Sequence, residues 1–134
     1  MFFFCIFGCS FTGLVKTISM IDWNLFSTYL GHFEKDQIVD LISEFITTYP
    51  ENLSKLRTAV AEKDYTGVSQ IAHPLKTNCN WFGASDAVEL ALQLEMMGKK
   101  AMEDKMDEVL PKFEAAMDEM IRELTDFKDA QSSE

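Results

Sequence analysis

Two residues one helical turn apart, His73 and Lys76, have types and a spacing that could carry chemistry. A neutral imidazole is a nucleophile near neutral pH, because its unperturbed pKa is about 6.5. A lysine ammonium three residues later would stabilise negative charge that arrives on the ring. Thr77 and Asn80 follow at the next helical positions, where small polar groups could hydrogen-bond phosphoryl oxygens. Any exposed helical histidine beside a lysine has the same spacing, so this pair alone is a weak signal.

The other reactive side chains form no recognisable site. The sequence holds two histidines and three cysteines, and it contains neither an HExxH nor a CxxC motif. A transition-metal site is therefore not expected. Most carboxylates fall on the outward faces of the predicted helices, where solvation is the default interpretation. His32 follows a glycine in a predicted turn and is interpreted as a solvated loop residue.

The elements that must position His73 are helices, because apolar residues recur at every third or fourth position. The predicted elements are a short helix over 21–30, a helix over 37–62 capped by Asp36 with a kink or break at Pro50, and a helix between Asp64 and Gly83. They are followed by a helix that Ser85 caps and Gly98 stops, and by a helix over 101–128 with a kink at Pro111. Short connections between four sizeable amphipathic helices predict an all-α fold. We expect an antiparallel four-helix bundle with a short additional N-terminal helix.

The apolar stripe of the third predicted helix sets the direction of His73. Ala72, Leu75 and Cys79 lie on this stripe, and at about 100° per residue His73 points away from it. We therefore expect an exposed imidazole in the middle of a helix. Pro74 removes a backbone donor and predicts a local kink beside it.

Composition and charge bound the classes of function. The 134 residues include 12 Lys and Arg against 22 Asp and Glu, a net charge of −10. This acidity argues against nucleic-acid binding, which relies on basic side chains, and against adhesion to anionic membranes. Three scattered cysteines argue against a disulfide framework and fit a reducing, cytoplasmic compartment.

The chain divides into three parts by composition. Residues 1–19 are apolar, with Lys16 as their single charge, and three interpretations stay open for them: a start-site extension that makes Met20 the working start, an apolar arm, and a targeting signal. The apolar run is too short for a membrane span. Residues 20–128 form the predicted bundle, and 129–134 a flexible polar tail.

A set of spaced motifs resembles the histidine-containing phosphotransfer (HPt) domain family. The motifs are Ala72-His73-Pro74-Leu75-Lys76, then Gly83-Ala84, then Leu94-Glu95, and the resemblance covers about residues 22–127. It implies a phosphorelay carrier that accepts a phosphoryl group on His73 from the aspartyl phosphate of a receiver domain and passes it to another receiver. The carrier has no ATP site of its own, and Lys76 would be the electrostatic anchor of the phosphoryl group.

The same resemblance implies the partners of this chain. Receiver domains, and a hybrid sensor histidine kinase that carries one, would dock on a surface that includes Thr77, Asn80, Gln70 and Ser69. The chain would need no cofactor, because Mg²⁺ belongs to the receiver, and it is expected to be a monomer that neither inserts into membranes nor binds nucleic acid.

Departures from the family pattern affect partner fit. Thr77 replaces the usual glycine after the lysine, so its side chain either narrows the approach to His73 or bonds a phosphoryl oxygen. Trp81 stands where asparagine is common and is interpreted as a packing aromatic at the helix end. The alternative function is a bundle that docks receivers without transferring phosphate.

Overall fold

The computed structural model describes residues 19–132, which fold into five helices without a β-strand. The helices are α1 (Trp23–Leu30), α2 (Lys35–Ala61), α3 (Tyr65–Trp81), α4 (Ser85–Lys100) and α5 (Glu103–Ser132). The prediction of an all-α fold is confirmed. The expected leader over 1–19 lies outside the described residues, apart from Ser19.

Helices α2 to α5 form a closed bundle around one apolar core. Helix α3 packs most extensively on α4, α4 also contacts α5, and α2 contacts both α3 and α5. Helices α3 and α4 are antiparallel, because His73 pairs with Glu95 while Ser69, one turn earlier, lies against Gly98, further along α4. The predicted antiparallel four-helix bundle with a short N-terminal helix is confirmed.

A carboxylate of α5 binds the described residues that precede helix α1. Glu123 on α5 accepts hydrogen bonds from the Ser19 hydroxyl and from the backbone N–H of Met20 at 2.7 Å. The N-cap of helix α1 is Asp22, whose side chain accepts a hydrogen bond from the N–H of Asn24. This short helix packs against α3.

The N-terminal cap of helix α2 lies two residues before the expected Asp36, so that prediction is wrong. The N-cap is Glu34, and the Gln37 side chain accepts a hydrogen bond from the Glu34 N–H at 2.9 Å. Glu34 and Gln37 form a capping box, which satisfies backbone donors that the helix itself leaves free. Helix α2 continues through Pro50, so the break considered there does not occur.

Helix α3 begins directly after the predicted cap Asp64 and ends two residues before the predicted Gly83. The Asp64 carboxylate accepts the Gly67 N–H at 3.0 Å. Gly83 follows the helix with φ of 75°, a left-handed conformation that glycine adopts without strain. Pro74 lies inside α3, which continues as one α-helix to Trp81.

Both predicted boundaries of helix α4 are wrong. The N-cap is Ala84 rather than Ser85, because the left-handed turn at Gly83 already directs the chain into the helix. Gly98 does not stop the helix, which continues to Lys100 and ends at a left-handed Ala101. Gly98 instead allows α4 to pack closely on the backbone of α3.

A Cβ atom at Gly98 would lie 2.7 Å from the backbone nitrogen of Ser69 and 2.7 Å from the carbonyl oxygen of Tyr65. Real Cβ atoms do not approach backbone atoms this closely. The absence of a side chain at Gly98 therefore sets the distance and register between α3 and α4.

Helix α5 continues through Pro111 and ends at Ser132. The residues predicted to form a tail from 129 onward are therefore helical as far as Ser132.

The core matches the predicted stripes with few exceptions. Cys79 is buried as expected, and its thiol donates to the Met117 sulfur at 3.4 Å. Leu41 of α2 and Leu92 of α4 are exceptions, because both are more than one-third exposed. Met96 is exposed as well.

Candidate functional site

Helix α3 presents His73 to solvent because the helix buries its opposite side. Val68, Ala72, Leu75 and Cys79 are buried within the bundle, whereas 62% of the His73 side chain is exposed. The direction predicted from the apolar stripe is therefore the direction found. The imidazole is accessible from outside the protein.

Helix α4 supplies a buried carboxylate to this exposed ring. Glu95 Oε2 lies 2.8 Å from His73 Nδ1, and Glu95 Oε1 lies 2.6 Å from Lys76 Nζ. A second ammonium, that of Lys99, lies 3.6 Å from Oε2. Only 5% of the Glu95 side chain is exposed, so the prediction that carboxylates are solvated is wrong for this residue. A buried carboxylate requires such partners, because removal from water is costly.

The cations around Glu95 keep it ionised. The hydrogen bond from Lys76 is the largest cause that lowers the pKa of Glu95 to about 2, and the hydrogen bond from His73 acts in the same direction. Burial acts in the opposite direction and is outweighed. Glu95 is consequently a carboxylate at every pH at which the protein would work.

The ionised Glu95 determines which nitrogen of His73 is reactive. A carboxylate accepts hydrogen bonds and donates none, so Nδ1 must carry the proton in their 2.8 Å contact. In the neutral ring, Nε2 then keeps its lone pair. Within residues 19–132, no hydrogen bond engages Nε2. The site therefore presents an unprotonated imidazole nitrogen on an exposed ring.

The remaining residues of the expected surface differ in exposure. Thr77, Asn80 and Gln70 are exposed, and the Thr77 hydroxyl donates to the His73 carbonyl at 3.3 Å. Ser69 is half-buried at the contact between α3 and Gly98. Lys76 is 25% exposed, less than its place in the expected exposed stripe requires, because it turns toward Glu95.

Aromatic side chains lie at the C-terminal end of α3. Trp81 is exposed, and its ring meets Tyr29 of α1 edge-on at a centroid distance of 6.2 Å. The expected packing role of Trp81 is therefore realised against α1. His32 is exposed in the turn between α1 and α2.

Two residues of the site were not assigned a role in it from the sequence. Glu95 was noted as part of a Leu-Glu pair, and Lys99 was not singled out. The available signal was the position of Glu95 directly after Leu94, a core residue, which places the carboxylate at the edge of the buried face. Which side of that face meets α3 depends on tertiary packing.

The described residues offer no second chemical centre. Residues 19–132 contain no group of three or more His, Cys, Asp or Glu side chains arranged to hold a metal ion. None of their helices is both long and apolar enough to cross a membrane.

The structure combines a bundle of helices with an exposed histidine, one ring nitrogen of which is held by a buried carboxylate. The sequence model of the Hpt domain family matches residues 40–127. The chain belongs to the Hpt domain family, whose members take part in histidine phosphotransfer in phosphorelays and lack a kinase site of their own.

A solved structure supports the fold independently. The crystal structure of histidine-containing phosphotransfer protein B from Pseudomonas aeruginosa PAO1 is similar, with a TM-score of 0.78 at 16% sequence identity. The similarity covers 85% of this chain and 98% of that protein. Comparison with curated proteins finds no match.

Proposed function

We propose that this protein is a phosphorelay carrier that accepts a phosphoryl group on Nε2 of His73. One observation carries the proposal: the exposed ring has its Nδ1 held by the buried Glu95, at 2.8 Å. This bond leaves Nε2 as the nucleophile and fixes the direction in which it points. An exposed nitrogen is needed because the donor is a group on another protein.

The transfer balances without a proton leaving the ring. The Nε2 lone pair attacks the phosphorus of a receiver's aspartyl phosphate, the P–O bond to the aspartyl oxygen breaks, and the aspartate leaves as a carboxylate. The phosphorylated ring keeps its Nδ1 proton and gains positive charge, which the Glu95 carboxylate stabilises at the Nδ1 contact.

The return step uses the same proton. A carboxylate of a second receiver attacks the phosphorus, the P–N bond breaks, and its electron pair returns to Nε2. Because Nδ1 is still protonated, the leaving group is a neutral imidazole rather than an imidazole anion. Glu95 is thus a positioning residue that serves both directions of transfer.

The partners in this proposal are receiver domains, which would supply the acidic pocket and Mg²⁺. The charge of α3 suits such a pocket, since Lys76 is the single charged side chain between residues 65 and 81. Its ammonium would favour the approach of an anionic phosphoryl group. Thr77, Asn80 and Gln70 are exposed around His73 and would contact the receiver, with Ser69 at the edge.

Incubation with a phosphorylated receiver tests the proposal. We expect label that is acid-labile and base-stable, as phosphohistidine is, on the wild-type protein and none on His73→Gln. His32→Gln is the matched control, because it removes the other histidine, which is exposed in a turn. Label that persists in His73→Gln would exclude His73 as the acceptor. Binding of receivers without any label would instead favour the docking-only function.

A further inference from the structure

The two lysines that contact Glu95 are held unequally. Lys76 Nζ lies 2.6 Å from Oε1, which is a short charge-assisted hydrogen bond. Lys99 Nζ lies 3.6 Å from Oε2, beyond hydrogen-bond distance. Exposure follows the same order, since the Lys76 side chain is 25% exposed and that of Lys99 is 58% exposed.

This difference decides which ammonium can leave Glu95. Moving Lys76 away would leave a buried carboxylate without its nearest counter-charge, and an uncompensated buried charge is strongly unfavourable. Moving Lys99 removes only a weak, solvent-screened contact, because Lys76 stays in place. Lys99 is therefore the cation that the site can release.

The position of Lys99 also relates it to the ring. Lys99 and His73 Nδ1 contact the same oxygen of Glu95, Oε2, whereas Lys76 contacts the other oxygen. A phosphoryl group on Nε2 of His73 would bring about two negative charges at neutral pH to the exposed side of the ring. The exposed ammonium of Lys99, which shares Oε2 of Glu95 with the ring, is the group that can offset them.

We propose that Lys99 leaves Glu95 and binds the phosphoryl group on His73, while Lys76 stays on Glu95 as its fixed counter-ion. This inference rests on the proposed function and assigns the phosphoryl contact to Lys99 rather than to Lys76. Lys99 touches the transferred group and is thus a catalytic residue, whereas Lys76 acts through Glu95 and is a positioning residue.

Chemical phosphorylation of the full chain with phosphoramidate tests the inference without a receiver. The Nε2 lone pair attacks phosphorus, the P–N bond of phosphoramidate breaks, and ammonia leaves. We expect Lys99→Ala to slow the labelling of His73 about fivefold, the effect of one ionic contact at a partly exposed site. Lys99→Arg should keep most of the rate. Lys100→Ala is the matched control, because it removes the same charge from the next residue, which is also exposed.

Two further readouts separate the tasks of the lysines. The ³¹P resonance of phosphohistidine should move in Lys99→Ala and stay unchanged in Lys100→Ala. The midpoint of urea unfolding should fall in Lys76→Met and remain near the wild-type value in Lys99→Ala, because only Lys76 balances the buried carboxylate closely.

The outcomes distinguish the two proposals. If the wild type acquires no label on His73, the proposed function fails and the role of Lys99 fails with it. If the wild type is labelled but Lys99→Ala behaves as Lys100→Ala in both rate and ³¹P resonance, only the role of Lys99 is overturned. A Lys76→Met protein of undiminished stability would contradict the assignment of Lys76 as the fixed counter-ion.

Discussion

Replacement of Glu95 by glutamine tests the most consequential contact of the site. Glutamine keeps the size and an acceptor oxygen but loses the charge that balances Lys76 and the phosphorylated ring. A hydrogen bond to a charged group exceeds a neutral one by about 1 kcal/mol. The ring gains positive charge as the phosphoryl group arrives, so we expect Glu95→Gln to slow phosphorylation of His73 about fivefold.

The same substitution has a pH-dependent effect on stability. The pKa of Glu95 is lowered from 4.5 to about 2, which corresponds to about 3 kcal/mol of preferential interaction with the ionised form. A lowered pKa stabilises the folded protein above the unfolded pKa, and this contribution disappears as the pH falls toward the folded pKa. Glu95→Gln should therefore be about 2–3 kcal/mol less stable than the wild type at pH 7, and the difference should decrease by about half at pH 3.

Denaturation by urea at several pH values and ¹⁵N NMR of the imidazole measure the two effects. Glu89→Gln is the control, because it removes an exposed carboxylate from the same helix. A second variant adds Lys76→Met to Glu95→Gln. It should recover stability, because it removes the lysine that has lost its counter-charge. It should not recover the phosphorylation rate, because the imidazole still has no carboxylate at Nδ1.

Three results would refute the reasoning about Glu95. One is an unchanged phosphorylation rate in Glu95→Gln. Another is a stability difference that is the same at pH 3 as at pH 7. The third is a wild-type ring that carries its proton on Nε2 rather than on Nδ1.

Other features lead to independent predictions. Gly98→Ala should destabilise the protein by about 1–3 kcal/mol in urea unfolding, because the added methyl group would overlap the α3 backbone at Ser69; an unchanged stability would contradict the close approach of α3 and α4. Tyr49→Phe should leave stability unchanged or raise it by up to about 1 kcal/mol, because the buried hydroxyl has no hydrogen-bond partner within residues 19–132. A loss of more than about 1 kcal/mol would mean that the hydroxyl is hydrogen-bonded. Burial raises the pKa of the Cys79 thiol to about 12, so iodoacetamide should modify Cys79 only after unfolding, as measured by peptide mass spectrometry. Rapid modification of Cys79 in the native protein would contradict its burial.

The sequence predicted what depends on one helix at a time. The exposure of His73 follows from the apolar period of α3, and the Asp64 cap follows from local backbone chemistry. Both are properties of neighbouring residues along one element. The number and order of the helices are likewise local properties, and they were predicted correctly.

The sequence did not predict what depends on how two helices meet. The burial of Glu95 requires the rotation of α4 relative to α3, which no periodicity within α4 determines. Gly98 shows the same limit, because a glycine near a helix end indicates a stop, and here it serves close packing on Ser69 instead. Asp36 was favoured as a cap by residue type, whereas the reciprocal partner Gln37 fixed the cap at Glu34.

The location of the charged groups on α3 and α4 limits which sequence changes the site can tolerate. His73, Lys76, Glu95 and Lys99 all belong to one helical hairpin, joined by the tight turn around Gly83. One residue added to or removed from α4 between this turn and Glu95 would rotate the Glu95 side chain by about 100° relative to the first turn of the helix. The number of residues between the turn and Glu95 is therefore under stricter constraint than their types. Surface residues of helices α2 and α5 can change without disturbing the contacts between His73, Lys76 and Glu95.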